Sequence, residues 1–185
     1  MCSKRYSAET KVRPEFTTTT TMADQLATYL NDHLAGACVA IDVLEHMWET
    51  CDDAPLRQFA ADLLREIESD RAVLQRIVEQ TDSDTGTLKQ AAAWVAEKAS
   101  RLKLRLGSED RLGIFEALEA LSLGILGKRA LWRALEAIAP ADVRLQGIDF
   151  STLIKRAESQ YNEVEGRRLE AATLALRSGV LGDSK

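Results

Sequence analysis

Apolar residues recur along this chain at helical spacing, three and four positions apart, in five segments separated by polar turns. Pro55 suits the first turn of the second segment, Pro140 ends the fourth, and Gly147 marks the turn before the last. No segment alternates like a strand and no repeat is visible, so the pattern predicts an all-α protein. The predicted helices cover about residues 24–50, 55–80, 87–107, 110–139 and 149–178.

The predicted helix at 110–139 differs from the others because two apolar stripes run along it. One stripe includes Phe115 and Leu123, and the other includes Leu118 and Leu121. A helix that is apolar on two sides is typically buried by several neighbours or by a second subunit. We therefore expect a homo-oligomer whose subunits meet through residues 110–139.

Length, composition and charge narrow the class of protein. The chain has 185 residues, of which 45% are hydrophobic and 29% charged, so we expect one soluble globular domain over residues 22–178. The formal net charge of −5 disfavours nucleic acid and anionic membranes as partners, and no apolar stretch reaches membrane-spanning length. Three cysteines without a C-x-x-C pair fit a reducing compartment, which predicts a cytoplasmic location.

The two ends of the chain lack the helical period. Residues 1–21 end in the run Thr17–Thr21 and are predicted to be a disordered extension. Met22 follows this run at once, which leaves two interpretations open: Met22 is the natural start, or the extension is a short solvated arm. Residues 179–185 are predicted to be a frayed tail.

Nearly every predicted helix places a polar residue inside its apolar stripe. Inward polar groups are costly unless they are partnered, so together they predict a buried network or a ligand site. No catalytic signature accompanies them, and an enzymatic role is therefore less favoured than a binding role. The candidate residues are His33, Glu66, Asp70, Glu119, Gln160 and Arg167.

Each candidate has a structural and a functional interpretation. His33 is either a hydrogen-bonded core histidine or a ligand or acid–base group. Asp70, with Glu66 one turn earlier, forms either a boundary salt bridge or a metal or substrate contact. Glu119 lies on a helix that is apolar around much of its circumference, so we expect a buried carboxylate. Such a carboxylate needs a cation, which Arg167, Arg168 or Lys128 could provide.

Two helical hairpins joined by a long connection with its own helix resemble the ferritin-like bundle over residues 24–178. The resemblance implies four long helices in an up-down arrangement with an extra helix in the crossover. It also implies two metal ions held by single Glu residues and by Glu-x-x-His pairs. Glu119 matches a single Glu and Glu66 the first residue of a pair, but Ser69 stands where the histidine belongs.

The other matching positions depart from the family pattern in the same way. Glu158 is followed by Tyr161 rather than histidine, and His33 stands where a Glu is expected. The chain thus resembles a ferritin-like protein without its usual di-metal site. The segment Tyr29–Gly36, with the sequence Tyr-Leu-Asn-Asp-His-Leu-Ala-Gly, also resembles a group of uncharacterised bacterial helical proteins, which implies no known activity.

Two functional hypotheses follow from the residues and the resemblance. The leading one is a non-enzymatic, cofactor-free module that binds a small ligand or a protein partner beside a buried polar network. The alternative is a metal-binding or redox bundle that holds iron or manganese through an atypical set of ligands. Those ligands are His33, Glu66, Asp70 and Glu119.

Overall fold

The computed structural model describes residues 22–81 and 111–177. These two ranges are entirely helical apart from short turns, which confirms the predicted all-α class. None of the described helices combines the length and the hydropathy that a membrane span requires. The four long helices are α1 (Met22–Thr50), α2 (Ala54–Thr81), α3 (Arg111–Ile138) and α4 (Phe150–Leu176), with 3-10 turns at Ala139–Ala141 and Val143–Leu145.

Three of the sequence predictions fall outside the described residues. They are the disordered extension at 1–21, the helix at 87–107 and the frayed tail at 179–185.

Short polar turns start two of the helices. Asp53, in the three-residue connection between α1 and α2, accepts a hydrogen bond from the backbone N–H of Leu56 at 2.7 Å. Asp149 accepts one from the backbone N–H of Thr152 at 3.0 Å. Both carboxylates satisfy donors that a helix N-terminus leaves free. Gly147 supplies the positive φ of 79° that the turn before α4 requires.

Contacts between α2 and α4 show that these helices run in opposite directions. Arg167, near the end of α4, lies over the ring of Phe59 near the start of α2. Arg156, nearer the start of α4, binds Asp70 further along α2. The later residue on one helix therefore meets the earlier residue on the other.

The same reasoning applies to α3 and α4. Arg168 pairs with Glu119, whereas Gln160 contacts Lys128, so these helices are also antiparallel. Because α4 runs against both of its neighbours, α2 and α3 run parallel to each other. The chain thus leaves α2 at one end of the bundle and enters α3 at the other.

A single apolar core lies between the four helices. Every helix contributes to it, as does the second 3-10 turn. Two polar residues, Asp70 and Gln160, are as deeply buried as their apolar neighbours. The largest apolar core side chains, each at most 1% exposed, are Leu30, Val43, Leu44, Ile77, Leu118, Leu131, Trp132, Leu135, Leu145 and Val164.

Helix α3 buries one of its two apolar stripes within this chain. Leu118 and Leu121 lie in the core, whereas Leu112 and Leu123 are exposed to solvent, Leu123 by 63%. Of the two interpretations that the sequence left open, several neighbours or a second subunit, the described part of this chain supplies neighbours for one stripe. Among the described helices, α3 packs mainly against α4 and to a smaller extent against α1.

Candidate functional site

A buried carboxylate lies at the centre of the polar residues. Helix α2 places Asp70 between Ile67 and Leu74 on its inward face, and Asp70 is 2% exposed. A carboxylate in such surroundings is strongly unfavourable unless cations and hydrogen-bond donors surround it. The fold must therefore supply its partners from other helices.

Two cations reach Asp70 from two different helices. The Nζ atom of Lys128, on α3, donates to Oδ2 of Asp70 at 2.5 Å. The guanidinium of Arg156, on α4, donates to Oδ1. One buried carboxylate therefore connects α2, α3 and α4 through charge-assisted hydrogen bonds.

Gln160 extends this arrangement towards the surface. Its Nε2 donates to Oε2 of Glu66 at 2.8 Å, and its Oε1 accepts from Nζ of Lys128 at 2.5 Å. A weaker contact of 3.4 Å joins Nε2 to Asp70. The amide thus presents its oxygen to the ammonium and its nitrogen to the carboxylates. We call these five residues, Glu66, Asp70, Lys128, Arg156 and Gln160, the Asp70 network.

The formal charges of the Asp70 network cancel, since two carboxylates face two cations. Burial lowers the pKa of Lys128 below its usual range, and the carboxylate of Asp70 offsets part of that effect. The ammonium of Lys128 is therefore stabilised in the core by Asp70, which leaves it little capacity to bind another anion.

Three of the residues singled out from the sequence meet in this network, and Glu119 does not. Glu119 follows the buried Leu118, and the rotation of about 100° per residue turns it away from the core. Its side chain is 50% exposed and pairs with Nη1 of Arg168 at 3.3 Å. The expectation of a buried Glu119 is therefore wrong, although Arg168 was among its expected partners.

Arg167 also lies apart from the network. Its guanidinium lies 4.4 Å from the centre of the Phe59 ring, which is cation–π geometry. Sequence reasoning did not identify Arg156, although its position four residues before Gln160 places both on one face of α4. From the sequence, Lys128 was expected only as a partner of Glu119.

His33 lies outside the Asp70 network, on α1. The imidazole is half-buried and meets the ring of Tyr29 edge-on, with 4.7 Å between ring centroids. Burial lowers the pKa of His33, and the nearby carboxylate of Asp32 only partly counteracts this. His33 is therefore neutral near pH 7 and can both donate and accept a hydrogen bond.

A cavity of about 200 Å³ lies between α1, α2 and α3, next to the network. His33, Asp70 and Lys128 border it, together with an apolar floor from the core. Asp32 and Arg71, both exposed, stand at its rim. The apolar residues that line it are Ala37, Ala40, Ile67, Leu74, Ile125, Leu131 and Trp132.

Three glycines border the same cavity from within helices: Gly36 on α1 and Gly124 and Gly127 on α3. A Cβ atom built at any of these glycines would lie more than 4 Å from every heavy atom of the described residues, apart from the nearby backbone of its own helix. Glycine inside a helix costs about 0.5–1 kcal/mol relative to alanine. Gly36 and Gly124 are exposed and Gly127 is half-buried, so no close approach within the described residues requires a glycine at these positions.

Trp132 borders the cavity and also holds a buried hydrogen-bond donor. The side chain is 1% exposed, and its Nε1 has no hydrogen-bond partner within the described ranges. Leaving such a donor unsatisfied costs about 1–3 kcal/mol. Nε1 itself is buried from solvent, so the part of Trp132 that borders the cavity is the apolar part of its ring.

The four metal ligands predicted from the sequence are not arranged to hold an iron or manganese ion. Across residues 22–81 and 111–177 there is no group of three or more His, Cys, Asp or Glu side chains placed to hold a metal ion. Lys128 and Arg156 bind the two oxygens of Asp70, and their charges would repel a metal ion. Glu119 lies on the surface with Arg168.

The lowered pKa of His33 predicts a loss of stability in mild acid. Because the unfolded chain takes up a proton near pH 6.5 and the folded chain only at lower pH, stability should fall as pH drops from about 7.5 to 5.5. The loss levels off once folded His33 is protonated. His33→Gln should reduce this loss. The loss is measured as the difference between the urea midpoints at the two pH values.

The same substitution at the other histidine, His46, is the matched control. A His33→Gln variant whose midpoint falls with pH as steeply as the parent's would contradict the burial of a neutral His33.

Comparisons with protein-family models, with curated proteins and with solved structures found no match to this chain.

Proposed function

We propose that this chain is a non-enzymatic binding module of ferritin-like architecture, whose cavity between α1, α2 and α3 takes a small molecule. The observation that carries the proposal is the cavity of about 200 Å³ with Gly36, Gly124 and Gly127 in its walls. Glycine weakens a helix, and beside these three glycines the described residues leave open space over an apolar floor. An apolar space of this size is typical of a small-molecule site.

The directions of the helices support the ferritin-like part of the proposal. Two antiparallel hairpins, with α2 parallel to α3, need a connection that passes from one end of the bundle to the other. That arrangement is the one implied by the family resemblance of the sequence.

The Asp70 network has a structural role in this proposal. Its charges are paired with one another, so it holds α2, α3 and α4 in register rather than offering free ligand atoms. Because Asp70 and Lys128 also border the cavity, the network fixes the shape of the binding site. The stable scaffold and the ligand site are thus neighbours.

We also propose a homo-oligomer, with the exposed stripe of Leu112 and Leu123 on α3 as the contact surface. A different protein partner on this surface is the alternative. We propose a cytoplasmic location, which the sparse cysteines support.

The cavity can be tested by filling it. Gly127→Leu places a side chain in the open space, whereas Gly166→Leu makes the same change on α4, away from the cavity, where a Cβ also meets nothing. The probe is benzyl alcohol, titrated into ¹⁵N-labelled protein. We expect saturable shifts at cavity residues in the parent and in Gly166→Leu, and none in Gly127→Leu.

The folding of both variants is checked by thermal denaturation. Both should be at least as stable as the parent, since leucine has a higher helix propensity than glycine by up to about 1 kcal/mol. Equal shifts in Gly127→Leu and the parent, or no saturable shift in the parent, would rule out this cavity as the binding site.

A further inference from the structure

We infer that a groove between α2 and the start of α4 binds a small carboxylate that carries a short hydrocarbon chain, with Arg76 as the partner of the carboxylate. This groove is separate from the cavity between α1, α2 and α3, because none of the described residues borders both. The inference depends on the position of the groove, the charges along it and its apolar floor.

The groove lies where α2 and α4 face each other without close packing of their backbones. Its volume is about 360 Å³, within the range of about 300–1,000 Å³ that small-molecule sites occupy. Val73, Arg76 and Gln80 border it and share one face of α2, because they are three and four residues apart. Thr152 and Arg156 border it from one face of α4 in the same way.

Arg76 brings an unpaired positive charge to this groove. Its side chain is exposed, and neither an ion pair nor a hydrogen bond joins it to another residue within 22–81 and 111–177. A guanidinium presents its N–H groups in a planar fork that matches the two oxygens of a carboxylate. Arg76 can therefore bind an anion without first losing a partner within the described chain.

Arg156 adds a second positive charge further along the groove. It binds Asp70, which lies six residues before Arg76, or about 9 Å along the axis of α2. Asp70 does not border the groove, so its charge lies behind Arg156. Asp149 is the acidic side chain in the described lining, and both of its oxygens accept hydrogen bonds at the N-terminus of α4. Two cations and one acid leave an excess of positive charge, which attracts an anion and repels a cation.

The floor of the groove specifies the rest of the ligand. Val73, Ile77, Ile148 and Leu153 border the groove, and Ile77 and Leu153 belong to the buried core. Val73 lies between Asp70 and Arg76 on α2, so apolar surface lies between the levels of the two arginines. A hydrocarbon chain can cover this surface while its carboxylate stays at Arg76. A strongly hydrated anion such as phosphate gains nothing from such a floor.

Probes that share a six-carbon chain separate charge from apolar contact. Hexanoate carries a negative charge, 1-hexanol is neutral and hexylammonium is positive, while acetate and inorganic phosphate are anions without the chain. Each is titrated at constant ionic strength into the ¹⁵N-labelled full chain. The amide signals of Val73 and Thr152 and the Nε–H signal of Arg76 are followed.

We expect hexanoate to shift these signals saturably, with a dissociation constant on the order of 1 mM for its eight or so non-hydrogen atoms. Each of the other four probes should bind at least about tenfold more weakly, because it lacks either the negative charge or the chain.

Arg76→Gln should weaken the binding of hexanoate about tenfold and leave the urea midpoint unchanged, since Arg76 has no partner in the described fold. Arg133→Gln is the matched control. Arg133 is also exposed, and it borders neither the groove nor the cavity, so this variant should bind hexanoate like the parent.

The remaining outcomes would overturn the inference. Equal binding of 1-hexanol and hexanoate, or equal affinities in Arg76→Gln and Arg133→Gln, would remove the role of Arg76. Tighter binding of phosphate than of hexanoate would exclude the hydrocarbon part of the ligand. Shifts confined to residues of the cavity, or no saturable shift, would exclude the groove. The proposed function is tested separately, because Gly127→Leu should keep the response to hexanoate and Arg76→Gln the response to benzyl alcohol.

Discussion

Replacing Asp70 by alanine is expected to lower the free energy of unfolding by about 3–5 kcal/mol. The carboxylate is 2% exposed and binds both Lys128 and Arg156, so its removal leaves the largely buried Lys128 and the part-buried Arg156 without this anion. A loss of this size is a large part of the total stability of a domain, which is typically about 5–15 kcal/mol. Urea denaturation followed by circular dichroism measures it.

Glu119→Ala is the matched control for this prediction. Glu119 also pairs with an arginine across helices, but its side chain is 50% exposed, and Arg168 keeps a second partner in Glu165. Exposed ion pairs contribute about 0–1 kcal/mol, so this variant should lose less than about 1 kcal/mol. Similar losses in the two variants would show that burial does not distinguish the two carboxylates.

The second large effect is a difference in stability between substitutions in the two apolar stripes of α3. Leu121→Ala should destabilise the protein by about 2–5 kcal/mol, because Leu121 is 2% exposed and its truncation leaves a cavity in the core. Leu123→Ala, two residues further on, should change the stability of a single subunit by no more than about 0.5 kcal/mol. Thermal and urea denaturation at low protein concentration test both variants.

Leu123 also tests the proposed homo-oligomer. Leu123→Asp places a charge in the exposed stripe of α3, so sedimentation analysis should show a larger fraction of monomer than in the parent. The stability of the monomer should be unaffected. An unchanged sedimentation profile would exclude this part of α3 from the subunit contact.

The hydrophobic period was sufficient to predict the long helices. The segments at 55–80 and 110–139 correspond to α2 at Ala54–Thr81 and α3 at Arg111–Ile138. The period identifies a helix because each turn repeats the same inward positions, so one ambiguous residue changes little. Helix ends were predicted to within a few residues because proline, glycine and capping carboxylates mark them.

The rotation of each helix was harder to predict than its extent. Asp70 lies between two apolar residues on a helix with one clear stripe, and the sequence indicated its inward position. Glu119 lies on a helix with two apolar stripes, and the sequence alone does not indicate which stripe faces the core. The pairing of Lys128 with Asp70 rather than Glu119 depends on this rotation.

The cavity could not be predicted from the sequence. Its volume depends on the spacing between α1 and α3, which a change of about 1 Å in packing would alter. Gly124 and Gly127 lower the helix propensity of α3, but a sequence does not show whether such glycines allow close packing or border open space. The unsatisfied Nε1 of Trp132 likewise depends on which acceptors the fold brings nearby.

The parallel directions of α2 and α3 have a consequence for the order of folding. The α1–α2 and α3–α4 hairpins close over short connections, so each can form early with little loss of chain entropy. The bonds from Asp70 to Lys128 and Arg156 join residues 58 and 86 positions apart, and they form only when the two hairpins dock. We therefore expect substitutions in the Asp70 network to accelerate unfolding and to leave hairpin formation almost unchanged.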